Sequence, residues 1–314
     1  MSASNRMASA SRRAFLQAAA GLAVSVCRAE PAPPRPEKII DTHTHFFDPS
    51  RLEGVPWPPK NDELLYRTTL PRDYRALPVP QPVTGTVVVE ASPWAEDNQW
   101  VLDLAAREPF IVGLVGNLPL GKPEFPDLLK RFAANPLFRG LRTRDASLDD
   151  PAIVNDLRAV AERGLCFDVH SPPEWVAKAD RLAREIPSLK LVINHVANAT
   201  VNGQEPPEAW RRLMETLAAH PRVFMKVSGL VEGTGRRNGD APAEAEIYRP
   251  VLETLWTLFG ADRLIYGSNW PVSSRFAPLG RVQQIALDFF AGKGQAALDN
   301  VFWKNAQTVY GLNP

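Results

Sequence analysis

Two histidines separated by one residue stand in the segment Ile39-Ile40-Asp41-Thr42-His43-Thr44-His45. In a β-strand, residues i and i+2 project from the same face, so His43 and His45 would point in the same direction. One divalent metal can then accept both imidazole nitrogens at roughly 2.0–2.1 Å. A pair of hydrogen-bonded interior histidines is the alternative, and the position of the other histidines bears on the choice.

Further side chains capable of chemistry follow apolar, β-branched runs elsewhere in the chain. They are Glu90, Arg142, Arg144, His170, His195 and Asn269. A carboxylate or imidazole can exchange a proton, an arginine can bind carboxylates or hydroxyls, and an amide can orient water or stabilise an oxyanion. With His43 and His45, four of the 5 histidines end candidate strands. The fifth, His220, precedes Pro221 and is expected on the surface or capping a helix.

Eight candidate strands position these residues. They are 38–43, 86–91, 110–117, 138–142, 166–170, 190–195, 223–228 and 264–268. Apolar spacings of three and four predict helices between most of them, over 98–107, 126–134, 151–163, 173–186, 207–220 and 243–259. A long proline-rich excursion covers 46–85, and residues 281–312 carry closing helices. Parallel strands need helical crossovers, and eight of them close naturally into a single-domain (β/α)8 TIM barrel, whose sites lie at the carboxyl ends of the strands. An open doubly wound sheet is the competitor, but no glycine-rich phosphate turn follows the first strand.

Several segments together resemble the amidohydrolase superfamily. They are 39–45, Val87-Val88-Val89-Glu90-Ala91, Phe138-Arg139-Gly140-Leu141-Arg142, Ile193-Asn194-His195, Lys226-Val227-Ser228-Gly229-Leu230 and Leu264-Ile265-Tyr266-Gly267-Ser268-Asn269-Trp270-Pro271. The resemblance covers about residues 37–312. More narrowly, these segments resemble the amidohydrolase-related branch, which contains lactone hydrolases and nonoxidative decarboxylases.

This resemblance implies a set of roles. His43, His45 and His170 would bind a divalent metal, zinc before manganese, and His195 would lie beside the attacked carbonyl or the water. Most relatives have an aspartate after strand eight, where it binds the metal and deprotonates water, whereas this chain has Asn269. An amide cannot act as that base, so His195, Glu90 or a metal-bound hydroxide would replace it, and a metal-free site is the alternative.

The function predicted from these residues is hydrolysis of a small lactone of a sugar acid or an aromatic catabolite. His195 and Asn269 would be catalytic, and Glu90, Arg142 and Arg144 would bind the substrate. Arg236 and Arg237, in the loop 230–242, could meet an anion. A nonoxidative decarboxylase on the same scaffold is one alternative, and a non-catalytic binding protein on an inactive barrel is the other.

The N-terminus predicts export. Ser11-Arg12-Arg13-Ala14-Phe15-Leu16-Gln17, followed by a short apolar stretch, resembles a twin-arginine signal. We expect residues 1–29 to be this signal, 30–37 a proline-rich linker, and 38–314 the barrel domain of a periplasmic protein. The apolar stretch is shorter than the about 20 residues that span a bilayer. No membrane attachment is therefore expected after the signal is removed.

Composition excludes some partners. Residues 1–29 hold four arginines and no carboxylate, so removing them changes the formal charge from +1 to −3. A slightly acidic protein is not expected to bind nucleic acid. Of the 2 cysteines, Cys27 lies in the predicted signal and Cys166 would be left alone, so no intrachain disulfide is expected. The expected partner is a small-molecule substrate, and a homo-oligomer is compatible with the sequence.

Overall fold

The computed structural model describes residues 34–143, 147–170 and 173–313. Eight strands form one sheet: β1 Ile40–Thr44, β2 Gly85–Val89, β3 Ile111–Gly116, β4 Phe138–Arg142, β5 Cys166–Val169, β6 Lys190–Ile193, β7 Val223–Val227 and β8 Leu264–Tyr266. Each strand pairs in parallel with the next in chain order. Every predicted strand overlaps an observed one, and the predicted TIM barrel is confirmed.

The first and last strands meet at their carboxyl ends. A parallel bridge joins Thr44 to Trp270, and the His45 amide donates to the Trp270 carbonyl at 2.9 Å. The Asn269 amide donates to the His43 carbonyl at 2.8 Å. Backbone hydrogen bonds therefore hold the ends of β1 and β8 together at His43 and His45, the two predicted ligands on β1 and its end.

Ten helices accompany the strands in the described residues. They are α1 Pro71–Arg75, α2 Glu96–Ala105, α3 Phe125–Ala133, α4 Pro151–Glu162, α5 Pro173–Glu185, α6 Glu208–Ala218, α7 Arg249–Phe259, α8 Leu279–Ala291, α9 Gln295–Asp299 and α10 Asn305–Tyr310. The helix predicted over 243–259 is shorter than expected. Pro250 lies in its first turn, where a missing N–H costs nothing, and a separate 3₁₀ turn occupies Ala245–Ile247.

The last helix closes one end of the barrel. Ala306, Val309 and Tyr310 of α10 pack in one buried cluster with Ile40 and Cys166, which stand at the beginnings of β1 and β5. At the opposite end of the barrel, where the strands end, loops surround the mouth. Apolar burial at roughly 25 cal/mol per Å² stabilises this plug.

The 46–85 excursion lies over the carboxyl ends of the strands. Arg51 pairs with Asp97 of α2 at 2.8 Å, and Asp62 pairs with Arg275 beyond β8. These ion pairs attach the excursion on two sides, and they bring Trp57 to 5.3 Å from His45, ring centre to ring centre. The excursion therefore forms part of the wall of the barrel mouth.

Some predictions fall outside the described residues. The signal over 1–29, part of the 30–37 linker and Arg144 are among them. In the ranges the structure describes, no helix is long and apolar enough to cross a membrane.

Candidate active site

His43 and His45 lie close together at the mouth, as the spacing predicted. Their ring centres are 5.1 Å apart, and His43 has no exposed surface. Asp41 positions this segment, since its Oδ1 accepts from the amides of His43 at 3.0 Å and Ser268 at 2.8 Å. Its Oδ2 accepts from the Tyr74 hydroxyl at 2.7 Å. One buried carboxylate thus ties the histidine segment to the end of β8.

The two rings are held differently. His45 Nδ1 lies 2.6 Å from the Val89 carbonyl, and a carbonyl can only accept, so Nδ1 carries a proton. His45 Nε2 faces Asn269 Oδ1 at 3.3 Å. Neither ring nitrogen of His43 has a hydrogen-bond partner among the described residues. His43 is therefore the imidazole left to meet a ligand.

His195 joins this pair from the end of β6. Its ring centre lies 4.4 Å from that of His43, and its Nδ1 is 2.9 Å from Ser228 Oγ. His195 and the next three residues all have positive φ, between 43° and 53°. A left-handed conformation costs of order 1–3 kcal/mol for a non-glycine residue. This turn therefore stores strain that surrounding contacts must offset in order to aim His195 at the mouth.

Gly229 makes the approach of His195 possible. A Cβ built on Gly229 would lie 2.6 Å from His195 Cβ, and Gly229 itself has a φ of +70°. Both facts require glycine at the point where β7 leaves the barrel. The motif Ser228-Gly229 thus positions His195 through a hydrogen bond and a close backbone contact.

Burial keeps the central histidines neutral. It lowers the pKa of His43 well below its usual value, with a further contribution from the Lys226 charge. It lowers the pKa of His195 in the same way, with Arg142 contributing next. A neutral imidazole offers one donor and one acceptor, so both rings can hydrogen-bond a substrate or hold a proton in transit.

Asn269 connects the histidines to a carboxylate that our sequence analysis missed. Its Nδ2 donates to Glu232 Oε1 at 2.8 Å. Burial raises the pKa of Glu232 to about 7. The second oxygen, Oε2, is enclosed and has no hydrogen-bond partner in the described part of the chain. The only sequence signal was an acidic residue five positions past the end of β7, inside the loop 230–242.

Glu90 and Arg142 come together on the other side of the mouth. Arg142 donates to the Glu90 backbone carbonyl at 2.9 Å, and Glu90 Oε1 accepts from the amides of Ala91 at 2.7 Å and Ser92 at 2.6 Å. Burial raises the pKa of Glu90 to about 7. Both side chains line a cavity of about 400 Å³ that Trp57 and Lys122 also line.

A second cavity, of about 430 Å³, is lined by three further predicted site residues. Its lining includes His170, His195, Asn198, Thr200, Glu232 and Asn269. Five predicted site residues thus lie in the linings of these two cavities, whereas His43 and His45 line neither of them. His45 stands between them, because its ring contacts Trp57 and its Nε2 faces Asn269. The individual catalytic and binding roles stay predictions.

The described residues do not fit the predicted three-ligand metal centre. No group of three His, Cys, Asp or Glu side chains within 34–143, 147–170 and 173–313 is placed to hold a metal ion. His43 and His45 are adjacent, but His170 does not complete a three-ligand group with them, and Asn269 supplies an amide. A catalytic zinc ordinarily has three protein ligands. The described His, Cys, Asp and Glu side chains therefore do not supply the ligand set of a catalytic zinc.

A buried ion pair lies inside the barrel. Lys226 Nζ is 2.6 Å from Asp168 Oδ2 and donates to the Thr42 carbonyl at 3.0 Å, and both charged side chains are fully buried. Asp168 also accepts from the Tyr310 hydroxyl. Lys226 and Asp168 thus form a structural ion pair inside the barrel.

His220 lies away from the mouth. Its Nε2 is 2.7 Å from Asp180 Oδ1, at the partly exposed end of α6. This agrees with the expectation of a surface histidine.

Known proteins resemble this chain over most of its length. A family model described as "Amidohydrolase" matches residues 40–312. A protein named L-fucono-1,5-lactonase from Burkholderia ambifaria is 35% identical over 240 residues, which cover 74% of this chain and 80% of that protein. A second protein of that name, from Burkholderia multivorans, is 25% identical over 84% of this chain and 92% of its own length.

One solved structure has the same fold. It is an amidohydrolase from Burkholderia multivorans with bound zinc, and it superposes with a TM-score of 0.77 at 23% identity. The match covers 88% of this chain and 100% of that one.

Proposed function

The chain belongs to the amidohydrolase family and is an enzyme that hydrolyses cyclic esters, and we propose that its substrates are small lactones of sugar acids. The relatives named L-fucono-1,5-lactonase support this substrate class. The local observation that carries the proposal is the lining of the cavity beside His195. It combines Asn198, Thr200 and Asn269 with two histidines and one carboxyl group.

That lining suits a polyhydroxylated ring. Amides and hydroxyls both donate and accept hydrogen bonds, as sugar hydroxyls require. Among its described lining residues the cavity beside His195 has no lysine or arginine that could bind a carboxylate substituent, and Arg142 lines the neighbouring cavity instead. Its volume of about 430 Å³ falls in the usual range of small-molecule sites, roughly 300–1,000 Å³.

We propose that His43 acts on the lactone carbonyl from beside His195. Its ring is buried and its nitrogens have no hydrogen-bond partner among the described residues. A neutral ring has one N–H, which can donate to the lactone carbonyl oxygen and stabilise the negative charge that develops there. In a site shielded from water, such a donor costs little reorganisation and commonly contributes about 10²–10³ in kcat.

We assign His195 the ring oxygen of the substrate. It lies against His43 and lines the cavity, and Ser228 fixes its orientation. If Ser228 donates to Nδ1, the Nε2 of His195 carries the proton and can donate to the ring oxygen as the C–O bond breaks. This would assist departure of the alkoxide without a charged acid.

The neighbouring cavity belongs to the proposed substrate site. Arg142 and Glu90 line it, and we assign them the polar substituents of the substrate that lie farthest from the carbonyl. Arg144 was predicted to share this role, and it stays a prediction outside the described residues. A zinc or manganese ion at His43, His45 and His170 was predicted from the resemblance, but the described residues do not form this three-ligand group, and the proposed mechanism uses no metal.

Export to the periplasm is proposed from residues 1–29 alone. Expression of the full chain with a reporter, followed by sequencing of the mature N-terminus, tests it. Cleavage near Ala29 that is lost on Arg12→Lys with Arg13→Lys would support the twin-arginine route. Uncleaved protein in the cytoplasm would contradict it.

The central experiment is a substrate screen with a pH indicator. The full-length or mature enzyme is offered L-fucono-1,5-lactone, L-rhamnono-γ-lactone and muconolactone, and spontaneous ring opening is subtracted. We expect the highest kcat/KM for the sugar lactones. His43→Asn should lower kcat at least tenfold, whereas the matched control His220→Asn should not change it.

The alternatives give different outcomes in the same screen. Release of carbon dioxide from a hydroxybenzoate would identify a decarboxylase. Calorimetric binding of a lactone with no turnover would identify a binding protein on an inactive barrel. Preference for muconolactone would reject the sugar-lactone class while keeping lactone hydrolysis.

A further inference from the structure

We infer that Glu232 is the general base of lactone hydrolysis and replaces the carboxylate that Asn269 cannot provide. This inference rests on the proposed function, because it concerns the water that opens the lactone. Asn269 stands directly after β8, and its amide has no proton-accepting capacity comparable to a carboxylate. The nearest described carboxylate to that amide is the one it binds.

The geometry connects Glu232 to the reaction site. Its Oε1 accepts from Asn269 Nδ2 at 2.8 Å, and the side chain lines the same cavity as His170, His195 and Asn269. Its Oε2 is enclosed and has no hydrogen-bond partner among the described residues. An enclosed carboxylate oxygen without a hydrogen bond is costly, and a water molecule admitted from the adjoining cavity by a small movement of its lining would give Oε2 the hydrogen bond that it lacks.

The backbone fixes Glu232 in this position. The Gly233 amide donates to the Gly229 carbonyl at 3.0 Å, and the Val201 amide donates to the Gly233 carbonyl at 2.9 Å. A Cβ on Gly233 would lie 2.5 Å from the Ala199 carbonyl oxygen. Glu232 is therefore anchored to the left-handed turn that carries His195, and the two side chains are positioned as one unit.

In the proposed step, one proton passes from the attacking water to Glu232 and then to the leaving oxygen. Water forms a bond from its oxygen to the lactone carbonyl carbon, and one of its protons moves to the Glu232 carboxylate. The tetrahedral intermediate then breaks the bond between that carbon and the ring oxygen. The departing alkoxide takes the proton from Glu232, so the products are the open hydroxy acid and the regenerated carboxylate of Glu232.

The surroundings suit a base that works near neutral pH. Burial raises the pKa of Glu232 to about 7, close to the value at which a general base is most effective. The titratable groups that face it are His170 and His195 across the cavity, and Tyr248, whose pKa the Glu232 charge helps to raise. Arg236 also lies close enough to influence Tyr248.

The test compares Glu232→Gln, Glu232→Asp and the double variant Glu232→Gln with Asn269→Asp. Glutamine keeps an acceptor for the Asn269 amide but cannot take a proton. We expect Glu232→Gln to lose about 10²–10⁴-fold in kcat, with a much smaller change in KM. The wild-type rate should fall tenfold per pH unit below about pH 7, and this limb should disappear in Glu232→Gln.

The other variants separate chemistry from structure. Glu232→Asp retains a carboxylate, so it should keep more activity than Glu232→Gln and still show an acidic limb. The double variant returns a carboxylate to position 269 and should recover at least tenfold of the lost kcat. Glu246→Gln, an exposed glutamate near the same loop, is the matched control and should behave as wild type. Circular dichroism and melting temperatures verify folding.

The outcomes distinguish the two ideas. A wild-type enzyme that hydrolyses sugar lactones, together with a Glu232→Gln variant within threefold in kcat and with the acidic limb retained, would overturn the inference and leave the proposed function intact. A wild-type enzyme that hydrolyses no lactone would overturn both.

Discussion

Replacing Glu90 with glutamine tests the electrostatics of the barrel mouth without depending on the substrate. Glu90 is 8% exposed and accepts two backbone hydrogen bonds through Oε1. Burial raises its pKa from 4.5 to about 7, which outweighs those hydrogen bonds and the nearby Arg142 charge. Glutamine keeps the shape and the acceptor oxygen but removes the ionisation.

The direction in which stability changes with pH follows from the difference in the pKa of Glu90 between the folded and the unfolded chain. Below pH 4.5 the carboxyl is protonated in both the folded and the unfolded chain, so it has no pH-dependent effect. As the pH rises from 4.5 to 7, the unfolded chain releases the proton while the folded chain retains it, and stability falls. At 1.36 kcal/mol per pKa unit, the full loss above pH 7 is about 3 kcal/mol. Glu90→Gln should therefore unfold about as easily as wild type at pH 4.5 and gain up to about 3 kcal/mol by pH 8.

Urea unfolding followed by tryptophan fluorescence, at intervals between pH 4.5 and 8.5, measures this difference. Glu246→Gln is the matched control, because its glutamate is exposed, and its curve should run parallel to that of wild type. The reasoning is refuted if the stability of Glu90→Gln relative to wild type stays constant across this pH range.

Three further predictions concern other parts of the site. A wild-type enzyme treated with a chelator and dialysed should keep its lactonase activity, since no three-ligand group exists among the described residues. Metal analysis before and after dialysis is the control. Loss of activity that added zinc restores would contradict this prediction. Gly229→Ala should destabilise the fold by about 1–3 kcal/mol in urea unfolding and lower kcat, because the new Cβ meets His195 at a left-handed position. Gly235→Ala, where a Cβ would meet nothing within 4 Å, is the control for the conformational cost alone. Equal effects of the two variants would refute a contribution from the contact with His195. Lys226→Met should lower the free energy of unfolding by about 3–5 kcal/mol, because it leaves Asp168 buried without its partner. Adding Asp168→Leu should recover stability. A double variant no more stable than the single one would contradict the pairing.

Much of the barrel could be predicted because the signals are local. Parallel strands buried on both faces are continuous apolar runs, and all eight were recognisable. Strands that close in chain order bring their carboxyl ends to one mouth, so the sequence alone predicts that His43, His45 and His195 lie together. The boundary of α7 was less predictable, because the 3₁₀ turn before it has the same apolar spacing as a helix.

The division into two cavities could not be predicted. It depends on where Trp57 lies within the 46–85 excursion, and two ion pairs formed over long sequence separations determine that position. The grouping of His170 with His43 and His45 came from a resemblance and not from local geometry. The structure places His170 in the lining of the Glu232 cavity instead.

Glu232 shows why a substituted site is difficult to recognise in one sequence. Asn269 suggests a lost base, since the residue after β8 has no carboxylate. The replacement lies on another strand's loop, 37 residues earlier, and only the folded chain brings the two side chains into contact. The bend at Gly229 and the close packing of Gly233 direct this loop back over the mouth. An asparagine that donates to a partly buried carboxylate can thus preserve the charge of the site while moving it by one side chain. A site of this kind would lose an acidic ligand for a metal and keep an acidic acceptor for water, which ties the prediction of chelator resistance to the role of Glu232.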